Sequence, residues 1–416
     1  MQGEIRPGYR QTEVGVIPED WENDKLSRFV TDHRSGIYKK SANYGDGCNI
    51  VGVGDIYGIS AVDGRIFDRV NLSKDEIKIF ILQPGDLLYG ESSLVREGIA
   101  RTVYVKDGGE NTAFAWHTRR YRVRQEHIDS EYLFYFLQSE LARQHMMSNA
   151  IQTALTGINT VAYFSCPVLV PPLKEQRAIA AALSDADALI AAVEAMIAKK
   201  RDLKQAAMQH LLTGKTRLPG FSGEWEVKRL GDVGRALIGL TYSPSNIRKS
   251  GTLVLRSSNI QNGALAFEDN VFVESEVAQS AVIEVGDLLI CARNGSRDLI
   301  GKSVRLDERA RGMAFGAFMA AYRSDFNGFI SYQFQSDLIK RQINEHLGAT
   351  INQITNKSLL SFQIPLPADT AEQTAIAEVL SDMDADLAAL EAQAAKARAV
   401  KQGMMQELLT GRVRLV

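Results

Sequence analysis

From residue 175 to residue 212 the chain holds neither proline nor glycine, and its apolar residues recur at Ile179, Leu183, Ala186, Ile190, Val193 and Ile197. These alternating steps of four and three lay a stripe along a helix, and Ala182, Leu189, Met196 and Leu203 widen it into the face of a helix packed on another helix. Gly214 is the expected C-cap, with basic Lys215 and Arg217 beyond it. The pattern returns at Ile376, Val379, Leu380, Met383, Leu387, Leu390, Ala394, Ala397 and Met404 and stops at Gly411. Such helices span roughly 55 Å, far more than a small domain requires. The two stripes bury each other most economically as an antiparallel pair, a coiled-coil spacer with a pseudo-twofold relation.

Elsewhere the period shortens. Segments 15–170 and 219–365 carry short apolar runs between Gly, Asn, Asp and Pro turns, for example at 49–53, 77–82, 86–89, 253–255 and 287–291, which predicts mixed, β-rich domains. Each closes with a helix-like stretch, 130–147 and 330–346, before the proline-containing leads VLVPPLKEQ and IPLPADTAEQ into the long helices. The expected class is α+β, with globular domains at 1–171 and 217–367 alternating with helices at 172–216 and 368–416.

The chain is one unit written twice. EQRAIAAALSDADA at 175–188 and EQTAIAEVLSDMDA at 372–385 agree at 10 of 14 positions, an offset of 197. The same offset carries KQAAMQHLLTG onto KQGMMQELLTG with 8 of 11 identities, and GDLL at 85–88 returns at 286–289. Between these segments the copies differ almost everywhere. Near-identical helices suit one job done twice, such as binding two copies of a partner, and diverged domains suit two different targets. Cyclic order of the units also places the tail RVRLV beside the segment from Arg10 to Trp21, as LPGF lies beside Trp225.

Composition narrows the classes. With 416 residues, 45% hydrophobic and 24% charged, the chain is globular and long enough for two to four domains. A net charge of −2 means that any nucleic-acid surface must come from local clusters of Lys and Arg. Cys48, Cys166 and Cys291 lack metal-ligand or disulfide spacing, and His117, His145 and His346 have no ligand partners at the right interval, so no metal is expected. The first ten residues are polar and the Ala-rich stretch 179–193 is interrupted by Asp185 and Asp187, so a cytoplasmic chain without secretion signal or membrane contact is expected.

No catalytic constellation emerges. Neither a glycine-rich cofactor loop nor an Asn/Asp-Pro-Pro-aromatic motif is present. GSRDLIGKS at 295–303 approaches a phosphate loop but has Ser296 where the first glycine is needed; LLTGKT likewise has Gln209 there. Asp185, Asp187, Asp382 and Asp384 read as a polar helix face or partner contact. DNA contact calls for Arg, Lys, Asn and Tyr in Gly-containing loops. In the first domain Tyr38, Lys39, Lys40, Tyr44, Ser92, Ser93, Arg96, Arg119 and Arg120 lie in such surroundings. In the second, Tyr242, Arg248, Lys249, Arg256, Ser257, Asn259, Arg293, Asn294, Ser296 and Arg297 do, and the run 293–297 is the strongest cluster.

The alternation of two variable domains with two near-identical helices, together with PPLKEQRAIA, ALSDADALI, LLTGKTRLPGF and GDLLICARNGSRDLIGKS, resembles the specificity subunits of type I restriction-modification systems. The resemblance spans the whole chain; GDLLYGESSLVREGIAR in the first domain keeps the frame and departs in wording. It implies two target-recognition domains, each reading half of a bipartite asymmetric sequence in double-stranded DNA, on helices that set the distance between halves. It also implies two docked modification subunits that hold S-adenosylmethionine and methylate adenine, restriction subunits as an additional partner, and neither cofactor nor catalysis in this chain. Two rivals stay open: an unrecognised fused nuclease or methyltransferase, which would act without partners, and a non-DNA adaptor with two interaction modules on a helical spacer. If the helices are a ruler, inserting four residues near Lys199 lengthens the gap between half-sites by roughly 6 Å, close to two base pairs. Mapping methylated adenines in host DNA measures this, and an unchanged gap refutes the ruler.

Overall fold

The two apolar stripes form single α-helices, Leu173–Leu211 and Thr370–Leu408, of 39 residues each. The structure is a computed structural model that describes residues 5–65, 67–109, 111–152, 155–347 and 352–415. Ahead of the first long helix, the Pro172 carbonyl accepts the amides of Glu175 at 2.9 Å and Gln176 at 3.0 Å, so the proline starts the helix at no loss of a donor. Gly214 and Gly411 follow the helices with φ of +70° and +71°, the left-handed caps foreseen from sequence.

The chain forms two compact units, residues 1–193 with 393–416 and residues 194–392. Each long helix therefore gives its first part to one unit and its last part to the other, so that compactness cuts the chain inside the helices and not at their ends. In the first unit Lys401 bonds Asp187 at 2.6 Å and Arg414 bonds Glu175 at 2.6 Å. In the second, Lys200 bonds Asp386 at 2.7 Å and Lys204 meets Asp384 at 2.5 Å. In both units residue numbers rise along one helix as they fall along the other, so the segments run antiparallel. Ile179, Leu183 and Val193 in one unit, and Ile376, Leu380 and Leu387 in the other, are buried as expected. The wider face is not. Leu189, Met196 and Leu203 are about half exposed, because a two-helix seam covers a strip narrower than the sequence stripe.

The globular part of the first unit is built on a five-stranded sheet in the order Val30–Ser35, Thr118–Val123, Leu87–Gly90, Thr102–Val105 and Ala61–Val62, antiparallel but for the last pair. Its counterpart in the second unit is four-stranded: Arg235–Ile238, Met319–Arg323, Leu288–Cys291 and Ser303–Arg305. The registers match under one offset, 201: Leu87 faces Tyr121 as Leu288 faces Tyr322. One expected run differs. Of residues 77–82 the first four belong to a helix, Lys74–Phe80, because Ser73 and Glu76 form a capping box that overrides the strand-like alternation of Ile77, Lys78 and Ile79; only Ile81 makes a β-bridge, to Ala113. The closing stretches are each two helices, Ser130–Phe136 with Glu140–Ser148 and Asn327–Gln333 with Asp337–His346.

Three side-chain clusters occur once in each unit and explain why their residues recur. Asp86, buried in the GDLL segment, accepts the Gln83 amide at 2.9 Å and pairs with Arg122 at 2.6 Å; Asp287 repeats this with Glu284 at 2.8 Å and Arg323 at 2.7 Å. Tyr135 donates to Asp187 at 2.9 Å and Tyr332 to Asp384 at 3.0 Å, while Lys401 and Lys204 hold the same carboxylates. These aspartates thus tie a domain helix to both long-helix segments, which accounts for two of the four acidic residues noted in the sequence.

The third cluster sits at the start of each long helix. Glu175 is buried and accepts Trp21 Nε1 at 3.1 Å, Arg414 Nε at 2.6 Å and Arg414 Nη2 at 2.8 Å. Arg414 also lies 5.7 Å over the Trp21 ring and bonds Asp20, which holds the Asp20 carboxyl below its ordinary range. Glu372, fully buried, is held by Arg217, which lies 5.8 Å over Trp225. The tail therefore adjoins the segment from Arg10 to Trp21 as expected, and Tyr9 donates to the Gly411 carbonyl at 2.8 Å. Cys48, Cys166 and Cys291 are buried free thiols, and burial pushes Cys166 up to about 12. Arg217→Ala leaves Glu372 buried without its cation and is expected to cost about 3 kcal/mol in urea unfolding followed by tryptophan fluorescence. Adding Glu372→Gln should recover part of that loss, and an equal loss in the double variant would show the pair to be incidental.

Candidate nucleic-acid interface

In the first unit three connections meet at one end of the main sheet. The Gly36 amide bonds the Thr118 carbonyl at 2.9 Å, and the Glu91 amide bonds the His117 carbonyl at 2.9 Å. The short strand Ser92–Ser93 pairs with Thr156–Gly157, which pairs with Ile151–Gln152. Tyr38, Ser92 and Arg119 thereby lie toward this end, where the exposed Trp116 meets Tyr38 edge-on at 5.1 Å and stacks on His117 at 4.6 Å.

The same architecture in the second unit gathers a different set. The Ala292 and Arg293 amides bond the Phe318 carbonyl at 3.0 and 2.9 Å, and Arg293 bridges to Gln353. The Arg293 guanidinium lies 5.1 Å over the exposed Phe318 ring. Asn294 donates to Ser257 Oγ at 3.2 Å and accepts the Ser296 amide at 3.0 Å, so its amide is spent on shaping the loop. Strand Thr252–Leu255 leads into Arg256 and Ser257 at this end, whereas Arg248 and Lys249 precede its other end, so the structure separates them from the cluster. Tyr242 is half-buried against the core.

Ion pairing sorts the remaining cations. Lys39 pairs with Glu76, Arg119 with Glu91, Arg120 with Asp32, Arg248 with Glu274 and Arg256 with Asp269. Arg120 is buried, and that burial lowers its pKa. Ser93 and Asn259 are buried as well; Asn259 accepts the Arg256 amide at 2.9 Å and donates to the Ala266 carbonyl at 3.0 Å, a turn-building role. Tyr44 lies in a separate sheet, opposite Val70, and Lys40 and Lys249 are exposed.

A second group of arginines donates to carbonyls and has no carboxylate partner among the described residues. Arg96 donates to Met147 O at 3.0 Å, and its counterpart Arg297 donates to Asn344 O at 3.2 Å. Both tie the loop after the central strand to the domain's closing helix, at offsets of 201 and 197. Sequence reasoning missed Trp116, Phe318 and Gln353. The aromatics sit in runs, FAWHTRR and FGAFMAAYR, that read as core strands until the hairpin geometry turns them outward.

The model of the type I restriction modification DNA specificity domain matches this chain twice, over residues 18–200 and 222–397. The chain belongs to that family. The putative type I restriction enzyme MjaX specificity subunit of Methanocaldococcus jannaschii is 25% identical over 98% of this chain and 97% of its own length. The EcoKI specificity subunit of Escherichia coli is 31% identical over 45% of this chain and 42% of its own. A type I restriction-modification system S subunit from M. genitalium has a crystal structure that superposes with a TM-score of 0.58 at 12% identity, covering 93% of this chain and 96% of that one, a likeness of fold alone.

As a specificity subunit of a type I restriction-modification system the chain is not a catalyst; DNA and the other subunits of the system are its partners. Among the described residues no group of His, Cys, Asp and Glu could hold a metal ion, and no helix is long and apolar enough to cross a membrane. In the assembled complex, Arg96→Gln and Arg297→Gln should each flatten the slope of log affinity against log salt by about 0.9 if the guanidinium meets a phosphate. Arg248→Gln, already neutralised by Glu274, should leave the slope unchanged; a change there would show that pairing does not sort these residues.

Proposed function

We propose that each globular domain reads one half of a bipartite, asymmetric DNA target through the loop that follows its central strand, residues 91–101 in the first and 292–302 in the second. The observation that carries this is the contrast within one repeated scaffold. Strand registers, the Asp–Arg pair and the loop-anchoring arginine are the same in both domains. The residues those anchors present, Ser92 to Val95 against Arg293 to Ser296, are not. A scaffold kept constant under a tip that changes is what two different half-sites demand. Arg293, exposed and without a carboxylate partner among the described residues, has the fork geometry that reads guanine O6 and N7, and neighbouring Gln353 has the amide that reads adenine.

The near-identical helices suit two copies of one partner, read here as two modification subunits that hold S-adenosylmethionine and methylate adenine, with restriction subunits joining the complex in the cytoplasm. On this reading the domains are 1–171 and 217–367, and the helical spacers are 172–216 and 368–416. Arg293→Ala should relax one base position of one half-site by roughly 1–3 kcal/mol and leave the other half-site intact. Mapping methylated adenines in a host carrying the variant decides it: loss at both half-sites would mean damage to the fold, and an unaltered target would remove Arg293 from the reading surface.

A further inference from the structure

The first domain's loop carries an apolar tip. Leu94 is 88% exposed and Val95 57% exposed, and they occupy the positions that Gly295 and Ser296 take in the second domain. The loop is well anchored. Its strand Ser92–Ser93 is paired, Tyr57 donates to the Ser92 carbonyl, Arg96 holds Met147 O at 3.0 Å and Arg143 donates to Glu97 O at 2.8 Å. Burial of Leu94 in the domain is thus forgone by a loop that is otherwise tied down on both sides, which marks the tip as a contact surface.

The surroundings indicate what covers it. Arg96 and Arg101 bond backbone carbonyls, Arg101 to Ile59 O at 3.5 Å, so two guanidiniums near the tip carry charge that no carboxylate neutralises among the described residues; Arg143, behind them, is partly buried, which lowers its pKa. A cationic rim around an apolar tip fits a polyanion that presents apolar groups of its own. On the reading proposed above, in which Arg293 meets guanine O6 and N7, the shared scaffold brings this tip to the major groove as well, where the apolar base feature is the C5-methyl of thymine.

We propose that Leu94, with Val95 beside it, reads a thymine methyl group in the half-site of the first domain, whereas the second domain reads hydrogen-bonding edges with Arg293. This rests on the DNA-reading role of the loops given above. The test uses the assembled methyltransferase complex and the target mapped from host methylation, the first domain's half-site being the one that Arg293→Ala leaves unchanged. Affinities of wild type and Leu94→Ala are compared on duplexes in which each thymine of that half-site is replaced in turn by uracil, which removes only the methyl group. Wild type should lose about four-fold at one uracil position, and Leu94→Ala should lose about as much on thymine DNA yet ignore that uracil. Equal losses of Leu94→Ala on thymine and uracil duplexes would overturn the inference in favour of a wedge between base steps. Unaltered binding of Leu94→Ala to every duplex would hand the tip to another subunit. A scrambled half-site separates the two levels: if scrambling weakens binding but no uracil does, only the methyl contact fails, and if scrambling does nothing, the DNA-reading role of this domain fails with it.

Discussion

Two buried glutamates, Glu175 and Glu372, decide how this chain closes. Each stands at the start of a long helix and is gripped by the arginine that follows the end of the other, Arg414 or Arg217. A carboxylate at a helix start is favoured by the helix dipole, but burial makes it dependent on its partner. The arginine in turn lies on a tryptophan, Trp21 or Trp225, from the first strand region of the domain. One contact therefore fixes three things: where a helix begins, where its antiparallel partner ends, and how the domain joins both. The two sites are not identical, since Trp21 donates to its glutamate whereas Trp225 Nε1 is buried and finds no partner among the described residues.

Above that frame the domains divide into a part that repeats and a part that does not. Asp86 with Arg122 and Asp287 with Arg323 fix the central strand against its neighbour, and Tyr135 and Tyr332 join the domain helix to the long helices through Asp187 and Asp384. Contacts at the loop ends repeat too. What changes is the side chains held outward. Recognition can then differ between domains without any change in the supports, which is the physical sense of a chain whose halves agree in some segments and diverge in others.

The long helices, their caps and the duplication were legible in the sequence because helical periodicity and glycine caps are local signals. The Glu–Arg clamp was half legible: EQ and the basic residues after each glycine were visible, but their pairing across some two hundred residues was not. The helix at Lys74–Phe80 was misread because Ile77, Lys78 and Ile79 alternate like a strand while the deciding signal, Ser73 with Glu76, lies upstream. Among the candidate contacts, composition could not separate Arg120, buried on Asp32, from Arg293, exposed over Phe318; strand pairing and neighbouring acids make that distinction. Leu189, Met196 and Leu203 show the converse limit, since a stripe tells which residues share a face and not how wide the partner is.

The guanidiniums of Arg96 and Arg297 serve as struts and as sources of field at once. Because each braces a peptide carbonyl, which is neutral, it keeps a loop rigid without spending its charge. Attraction and rigidity are consequently coupled in a single residue. A substitution that removed the charge at one of these positions would also loosen the loop it braces, so neither property can be altered alone by a single change there.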